Sequence, residues 1–207
     1  MLTNTFKNKN VFLNNKVFNL EHLAIFIAGI TLIYVLMIKP IIGVADNGDF
    51  GRIMGMTGLD YTSSDRQDRY FGYMNRTYIT TPSGDLQSGY FSSEIFVVKV
   101  AKLMNNLVFR GGNTFDIRFL ALLYALLLLG AIYLMIRFTK SKINWASWLL
   151  LILLLLVFTD VGYISYFNSL YGEALSLTSL LLTIAFALCF KVYPLSRTFW
   201  VFSIPII

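Results

Sequence analysis

Five stretches of this chain are uncharged and almost wholly apolar, and they constrain the fold more than any other feature. They are Leu23 to Ile38, Phe119 to Ile136, Ile143 to Thr159, Ala174 to Phe190, and a run that opens at Thr198. A helix crosses the hydrocarbon of a bilayer with about 20 residues, in a range of about 17 to 25. The shorter runs reach that length by borrowing Lys39, Tyr, Trp or Asn at their ends, because Lys snorkels its ammonium to the headgroups. The runs are rich in Leu, Ile and Phe without alternation, whereas strands of a membrane barrel alternate over about 10 residues, so helices are expected. With 57% apolar and 14% charged residues, the chain cannot cover a single soluble core with its own polar surface. The expected fold class is all-α: a polytopic helical membrane protein with about four complete transmembrane helices plus a partial fifth.

Orientation follows from the basic residues of the short loops. On one side lie Lys7, Lys9, Lys16, Arg137, Lys140, Lys142, Lys191 and Arg197 against one acid, Glu21. On the other lie the 73 residues from Ala45 to Ile117, with seven bases and eight acids, and the stretch holding Asp160 and Glu173. The amino terminus is therefore expected to be cytoplasmic and both acid-bearing loops external. The net charge of +6 is a topology signal, and no nucleic-acid partner is expected. The implied layout is a tail at 1–22, spans at 23–44, 118–137, 145–163 and 173–191, cytoplasmic turns at 138–144 and 192–197, and an outer turn at 164–172. Residues 198–207 begin the fifth span. A signal peptide ending near Ala45 is the competing reading of the first run, and it too leaves Asp46 outside.

A loop as long as 45–117 needs structure of its own. Residues 46–59 are Gly-rich, and 61–89 read as irregular or short-helical, with Ser83-Gly84-Asp85 as a turn. From 92 to 110 an amphipathic helix is expected, with Phe96, Val100, Leu103, Met104 and Leu107 on one stripe and Lys99, Lys102, Asn105 and Asn106 on the other face. Ser92 or Ser93 is its N-cap and Gly111-Gly112 its stop. Such a helix lies along the outer membrane surface or packs against the spans, with a helix in a small soluble subdomain as the alternative.

Two constellations could carry chemistry. In Asp46-Asn47-Gly48-Asp49-Phe50-Gly51-Arg52 the two acids, three residues apart, would meet on one helix face, and Arg52 stands three beyond Asp49, so the segment gathers acids and a cation at the water-lipid boundary. A carboxylate there can accept the proton of an attacking hydroxyl, and a guanidinium can hold a phosphate by paired hydrogen bonds. The plainer reading makes Asp46 a helix cap and Asp49 its first-turn partner. The second constellation runs from Asp160 to Glu173 through Tyr163, Tyr166, Asn168 and Tyr171. Charges are costly at mid-bilayer, so both acids belong at the outer boundary or in a watery cavity, joined by a short re-entrant or interfacial turn. Asn75-Arg76-Thr77 fits a glycosylation sequon, and Cys189 reads as a packing residue. The lone cysteine and the lone His22 leave no cysteine- or histidine-based metal cluster, and no metal ligand is assigned.

With an acid just outside the first span, a long structured loop and a second acid where the fourth span begins, the chain resembles the amino-terminal part of a GT-C type membrane glycosyltransferase. In that superfamily the first outer loop forms membrane-lying helices, and a carboxylate near its beginning acts on the acceptor. Related members carry an Asp-Glu-x-Arg run there. Asp49-Phe50-Gly51-Arg52 supplies the Asp and the Arg but has Phe50 in place of the Glu, and Asp46 is the candidate to replace it. Glu173 or Asp160 occupies the place of a further acid in the second outer loop. The runs Asn-Gly-Asp-Phe and Tyr-Phe-Asn-Ser-Leu-Tyr-Gly-Glu look like those of bacterial hexose transferases for cell-surface glycans. The resemblance implies transfer of a hexose from a polyprenyl-phosphate-linked sugar to a glycan acceptor on the outer face, within membrane lipid. Asp49, Asp46 and Glu173 would be catalytic, and Arg52, Asn47, Asn168, Tyr171, Arg76 and Arg118 would bind substrate. A divalent cation bridging Asp49 and Glu173 fits carboxylate chemistry without being demanded by it. Members of the superfamily have eight or more spans, so the chain reads as a fragment of a longer enzyme. A non-catalytic membrane subunit, or a lipid or polysaccharide transporter, is the rival expectation.

Overall fold

A computed structural model describes residues 20–70, 74–81, 91–110, 112–139 and 144–192. The tail at 1–19, the Ser83-Gly84-Asp85 turn, Gly111, the turn at 140–143 and residues 193–207 with the fifth run lie outside the described residues. The helices are α1 (Leu20–Leu36), α2 (Phe50–Thr57), α3 (Arg66–Arg69), α4 (Ser93–Phe109), α5 (Arg118–Thr139), α6 (Asn144–Phe158), α7 (Val161–Ile164) and α8 (Glu173–Val192). A 3-10 turn, Ser165–Asn168, joins α7 to the approach of α8. Three short strands, β1 (Leu59–Tyr61), β2 (Thr77–Thr80) and β3 (Thr114–Asp116), form an antiparallel sheet in the order β1-β2-β3, pairing Leu59 with Thr80 and Thr77 with Asp116. This mostly helical architecture is that of an all-α polytopic membrane protein.

Helices α5 and α8 are long and apolar enough to cross a membrane, and α6 joins them if the bent pair Trp145–Phe158 and Val161–Asn168 is one span. Helix α1 is apolar but has only 17 residues. The expected span at 23–44 therefore differs from the structure: the helix begins at Leu20 and ends at Leu36. Pro40 explains the stop, since it has no N–H to donate and disfavours helical backbone at the residue before it. Of the carbonyls this leaves open, Val35 O accepts from Ile42 N at 3.1 Å and Leu36 O from Asn168 Nδ2 at 3.1 Å. The expected span at 145–163 also differs, because α6 stops at Phe158 and the chain bends by 49° into α7. Asp160 makes the break by capping α7, its Oδ1 accepting from Gly162 N at 2.8 Å.

Helix α5 is the centre of the bundle and packs against α1, α4, α6 and α8. The α1 stripe Ala24, Ala28, Leu32 and Leu36 is buried, as are Leu120, Ala121, Tyr124, Leu128, Ala131 and Ile132 of α5. Small residues at such a seam let the helix backbones approach closely, and dispersion then holds them where lipid removes the hydrophobic drive. Phe26, Ile30 and Ile33 of α1, Leu156 of α6 and Leu180 of α8 point outward, as helices solvated by acyl chains require. Hydroxyls within these helices are satisfied locally: those of Thr31, Thr178 and Thr183 each donate to the carbonyl four residues back. Cys189 is half-buried near the end of α8.

The sheet is the element that the reading of 61–89 as irregular or short-helical omits. It serves as a brace between the loop and the bundle. Asp116, at the end of β3, accepts from Arg76 Nε and Nη2 at 3.1 and 3.0 Å, and from Arg118 Nη2 at 2.7 Å. Its own N–H donates to Asn105 Oδ1 at 3.1 Å, while Asn105 Nδ2 donates to Thr114 O at 2.8 Å. One carboxylate thus joins β2, β3, α4 and α5. Lys102 of α4 donates to Thr57 O and, at 3.1 Å, to Gly58 O, closing the C-terminus of α2.

Ser92 caps α4, its Oγ accepting from Glu94 N at 3.2 Å. The face of α4 turned to the bundle is Glu94, Ile95, Val98, Ala101 and Asn105, whereas Phe96, Leu103 and Leu107 are exposed. Of the expected stripe, Phe96, Leu103 and Leu107 therefore point away from the protein while Val100 and Met104 are half-buried, and Asn105, assigned to the polar face, is buried. The cause is that the helix has two apolar surfaces, one against α5 and one free for lipid.

A cleft between the first loop helix and the start of the last helix

The candidate site is built on the segment that follows α1. Asp46 is buried and organises it. Its Oδ1 accepts from Gly48 N at 2.7 Å and from Phe50 N at 3.1 Å, and its Oδ2 accepts from the Tyr61 hydroxyl. Gly48 has φ +109°, which L side chains rarely adopt, so the turn that presents its N–H to Asp46 needs glycine. Burial, and then the hydrogen bond to Asp46, push the Tyr61 phenol up, which keeps it a neutral donor. Asp46 and Asp49 therefore do not share a helix face as their spacing suggested: α2 starts at Phe50, after the turn, and Asp46 points inward while Asp49 is exposed. The Asp49–Arg52 part of the expectation stands, with Oδ1 3.5 Å from Nη2.

Across from this segment lies the approach to α8. Asn47 N donates to Tyr171 Oη at 3.0 Å, Tyr171 Oη donates to Ala45 O at 3.3 Å, and the Phe50 and Tyr171 rings meet edge to face at 4.6 Å. Asn47 Oδ1 accepts from Asp49 N at 3.2 Å. Asn168 is buried and donates to Leu36 O and, at 2.9 Å, to Ile42 O, so it ties the end of α1 to the 3-10 turn and does not face the opening assigned to it. Gly43 fits against the same turn, where a Cβ would lie 2.7 Å from Asn168 O. These links bring α2 beside the first residue of α8.

The result is a cleft of about 170 Å³ lined by Asp49, Arg52, Ile53, Ser92, Glu94, Leu170, Tyr171, Gly172 and Glu173. Asp49, Arg52, Tyr171 and Glu173 are thus brought together as the sequence suggested. Arg76 and Arg118, expected to balance a phosphate, do not line it and are paired with Asp116. Asp160 does not line it either and serves as the cap of α7.

The residue that the sequence reading missed is Glu94. It is 1% exposed, its Oε1 accepts from the Tyr124 hydroxyl at 2.5 Å, and Oε2 is buried without a hydrogen-bond partner. Burial raises its pKa, the Tyr124 hydrogen bond lowers it and the Glu173 charge raises it, for a net value pushed up from 4.5 to about 7. Its one sequence signal is an acid on the inward face of α4, in register with Ile95, Val98 and Ala101.

Next to the cleft, and sharing Ser92 with it, is an open groove of about 710 Å³ lined by Phe91, Ser93, Ile95, Phe96, Val97, Lys99 and Leu175. Among the described residues no group of three or more His, Cys, Asp or Glu could hold a metal ion.

The family described as "YfdI N-terminal transmembrane domain" matches residues 4–204. The chain belongs to that family. Membership makes it a membrane protein in contact with lipid, in accord with the apolar outer faces of its helices. No curated protein and no solved structure matches the chain.

Proposed function

We propose that this chain is the substrate-binding part of a membrane glycosyltransferase of GT-C type, moving a hexose from a polyprenyl-phosphate donor to a cell-surface glycan acceptor. The observation that carries this reading is that Asp49, Arg52 and Glu173 line one polar cleft directly beside an apolar groove. A lipid-linked sugar needs both environments within one molecule's reach. The carrier chain lies in the groove against Phe91, Phe96 and Val97, with Lys99 near its phosphate. The sugar and the acceptor hydroxyl enter the cleft, where Asp49 orients the acceptor, Glu173 is a second positioning acid and Arg52 offsets the charge gathering on the leaving phosphate. Asp46 acts at one remove, holding the turn from which Asp49 and Arg52 project. Asn47 and Tyr171 join the two walls. The excess of Lys and Arg in the short loops supports a multi-pass arrangement with a cytoplasmic amino terminus and an extracytoplasmic cleft.

The test is transfer by the full-length protein in lipid vesicles supplied with polyprenyl-phosphate glucose and membrane glycan. Transfer or donor hydrolysis is expected, and Asp49→Asn lowers kcat about 100-fold at normal expression. Wild-type turnover by Asp49→Asn removes Asp49 from the mechanism. Donor binding without turnover by the wild type favours a non-catalytic subunit.

A further inference from the structure

We propose that Glu94 is the proton acceptor of the cleft, its Oε2 taking the proton of the acceptor hydroxyl. This rests on the reading of the chain as a glycosyltransferase.

The geometry separates Glu94 from the other acids. Asp49 is exposed and already paired with Arg52, a surface arrangement suited to orienting a ligand. Glu94 is buried, with one oxygen fixed by a hydroxyl from α5 and the other left with nothing to accept. A buried carboxylate oxygen without a donor is costly, and few native groups are left so. Glu94 lines the same cleft as Asp49, Arg52 and Glu173, so a ligand hydroxyl entering there supplies the missing donor. The groups that bear on its charge are Tyr124 from α5 and Glu173 from α8, and the other charged side chains lining the cleft are Asp49, at the N-cap of α2, and Arg52 of α2. A proton affinity near pH 7 is the one at which a base is both available and effective.

The step balances. The acceptor oxygen bonds to the anomeric carbon while its proton passes to Glu94 Oε2. The bond from that carbon to the carrier phosphate oxygen breaks, and its electron pair leaves with the phosphate beside Arg52. Glu94 then returns the proton to water.

The experiment is the pH dependence of kcat in the vesicle assay with polyprenyl-phosphate glucose, alongside an infrared titration of the carboxylic acid band that Glu94→Gln removes. In the wild type kcat should rise with pH to a plateau, with a midpoint near 7. Glu94→Gln should lower kcat about 100-fold with little change in KM. Tyr124→Phe removes a bond that favours the anion and should move the midpoint up. Glu173→Gln removes a like charge and should move it down. Transfer with a midpoint that ignores these variants, or a Glu94 band that titrates near the ordinary 4.5, overturns the assignment of Glu94 and leaves the transferase reading intact. A Glu94 band titrating near 7 in a wild type that neither transfers nor hydrolyses the donor overturns the transferase reading, and the proton-transfer step with it.

Discussion

Asp116→Ala destabilises the fold by about 3 to 5 kcal/mol, the range for removing one partner of a buried ion pair. Asp116 is 6% exposed and takes hydrogen bonds from two guanidiniums and from Arg118 N at 3.1 Å. Without it, Arg76 and Arg118 face each other with no anion between them. They are 38% and 30% exposed, so water relieves part of the repulsion and the lower end of the range is expected. The loss is not confined to the pair, because the same residue joins the sheet to α4 and α5. Burial alone would raise the Asp116 pKa, but its bonds from Arg118 and Arg76 and the Arg118 charge outweigh burial and hold the carboxyl below its ordinary 3.8. A depressed folded pKa contributes stability that is fully present above the unfolded value and is lost as pH falls through the folded one. Thermal unfolding in detergent should show the wild type losing stability below pH 3.8, and Asp116→Ala failing to show that part of the acid loss. An Asp116→Ala protein with wild-type stability at pH 7 would contradict the brace.

Asp46→Ala is the second large loss, on the order of 4 kcal/mol. It strands the buried Tyr61 hydroxyl and Phe50 N–H, while the N–H of the exposed Gly48 turns to water, and unsatisfied buried donors cost about 1 to 3 kcal/mol each. Asp46→Asn keeps one carbonyl oxygen for the two N–H groups and should lose less than half as much. Hydrogen exchange at the Gly48 and Phe50 amides reads the effect locally, because their protection depends on this one side chain. Transfer should fall along with stability, since Asp49 and Arg52 project from the turn that Asp46 holds. Unchanged protection in Asp46→Ala would remove Asp46 as the organiser of the turn.

The long elements were legible because the bilayer imposes length and polarity on them. The runs at Phe119 to Ile136 and Ala174 to Phe190 fall within α5 and α8, and Ser92 caps α4 as its hydroxyl predicts. Asp49, Arg52, Tyr171 and Glu173 were legible as a set because each flanks an apolar run at the same end of the bundle. What stayed hidden depends on partners distant in sequence. Strands of three or four residues give no alternation to read, and β2 ends at Thr80 whereas β3 begins only at Thr114, just after Asn113, whose O accepts from Thr80 N at 2.9 Å. The inward turn of Asp46 is set by Tyr61, and the burial of Glu94 by Tyr124, 30 residues away. Asn168 is expected to bind substrate only through the resemblance of its run to hexose transferases, and the open carbonyls of Leu36 and Ile42 claim it instead. Arg76 and Arg118 looked available until β3 placed Asp116 between them. The stripe of α4 misled because periodicity marks an apolar face without saying whether protein or lipid covers it.

The most direct measurement of the central claim is cross-linking of Asp49→Cys with Glu173→Cys in the full-length protein, in membranes, with Cys189→Ala removing the native thiol. A short bifunctional maleimide should join this pair rapidly. It should fail with Asp49→Cys and Lys191→Cys, because 18 residues of helix set the two ends of α8 about 27 Å apart. Failure to join positions 49 and 173, or equal joining of 49 to either end of α8, would contradict the shared cleft.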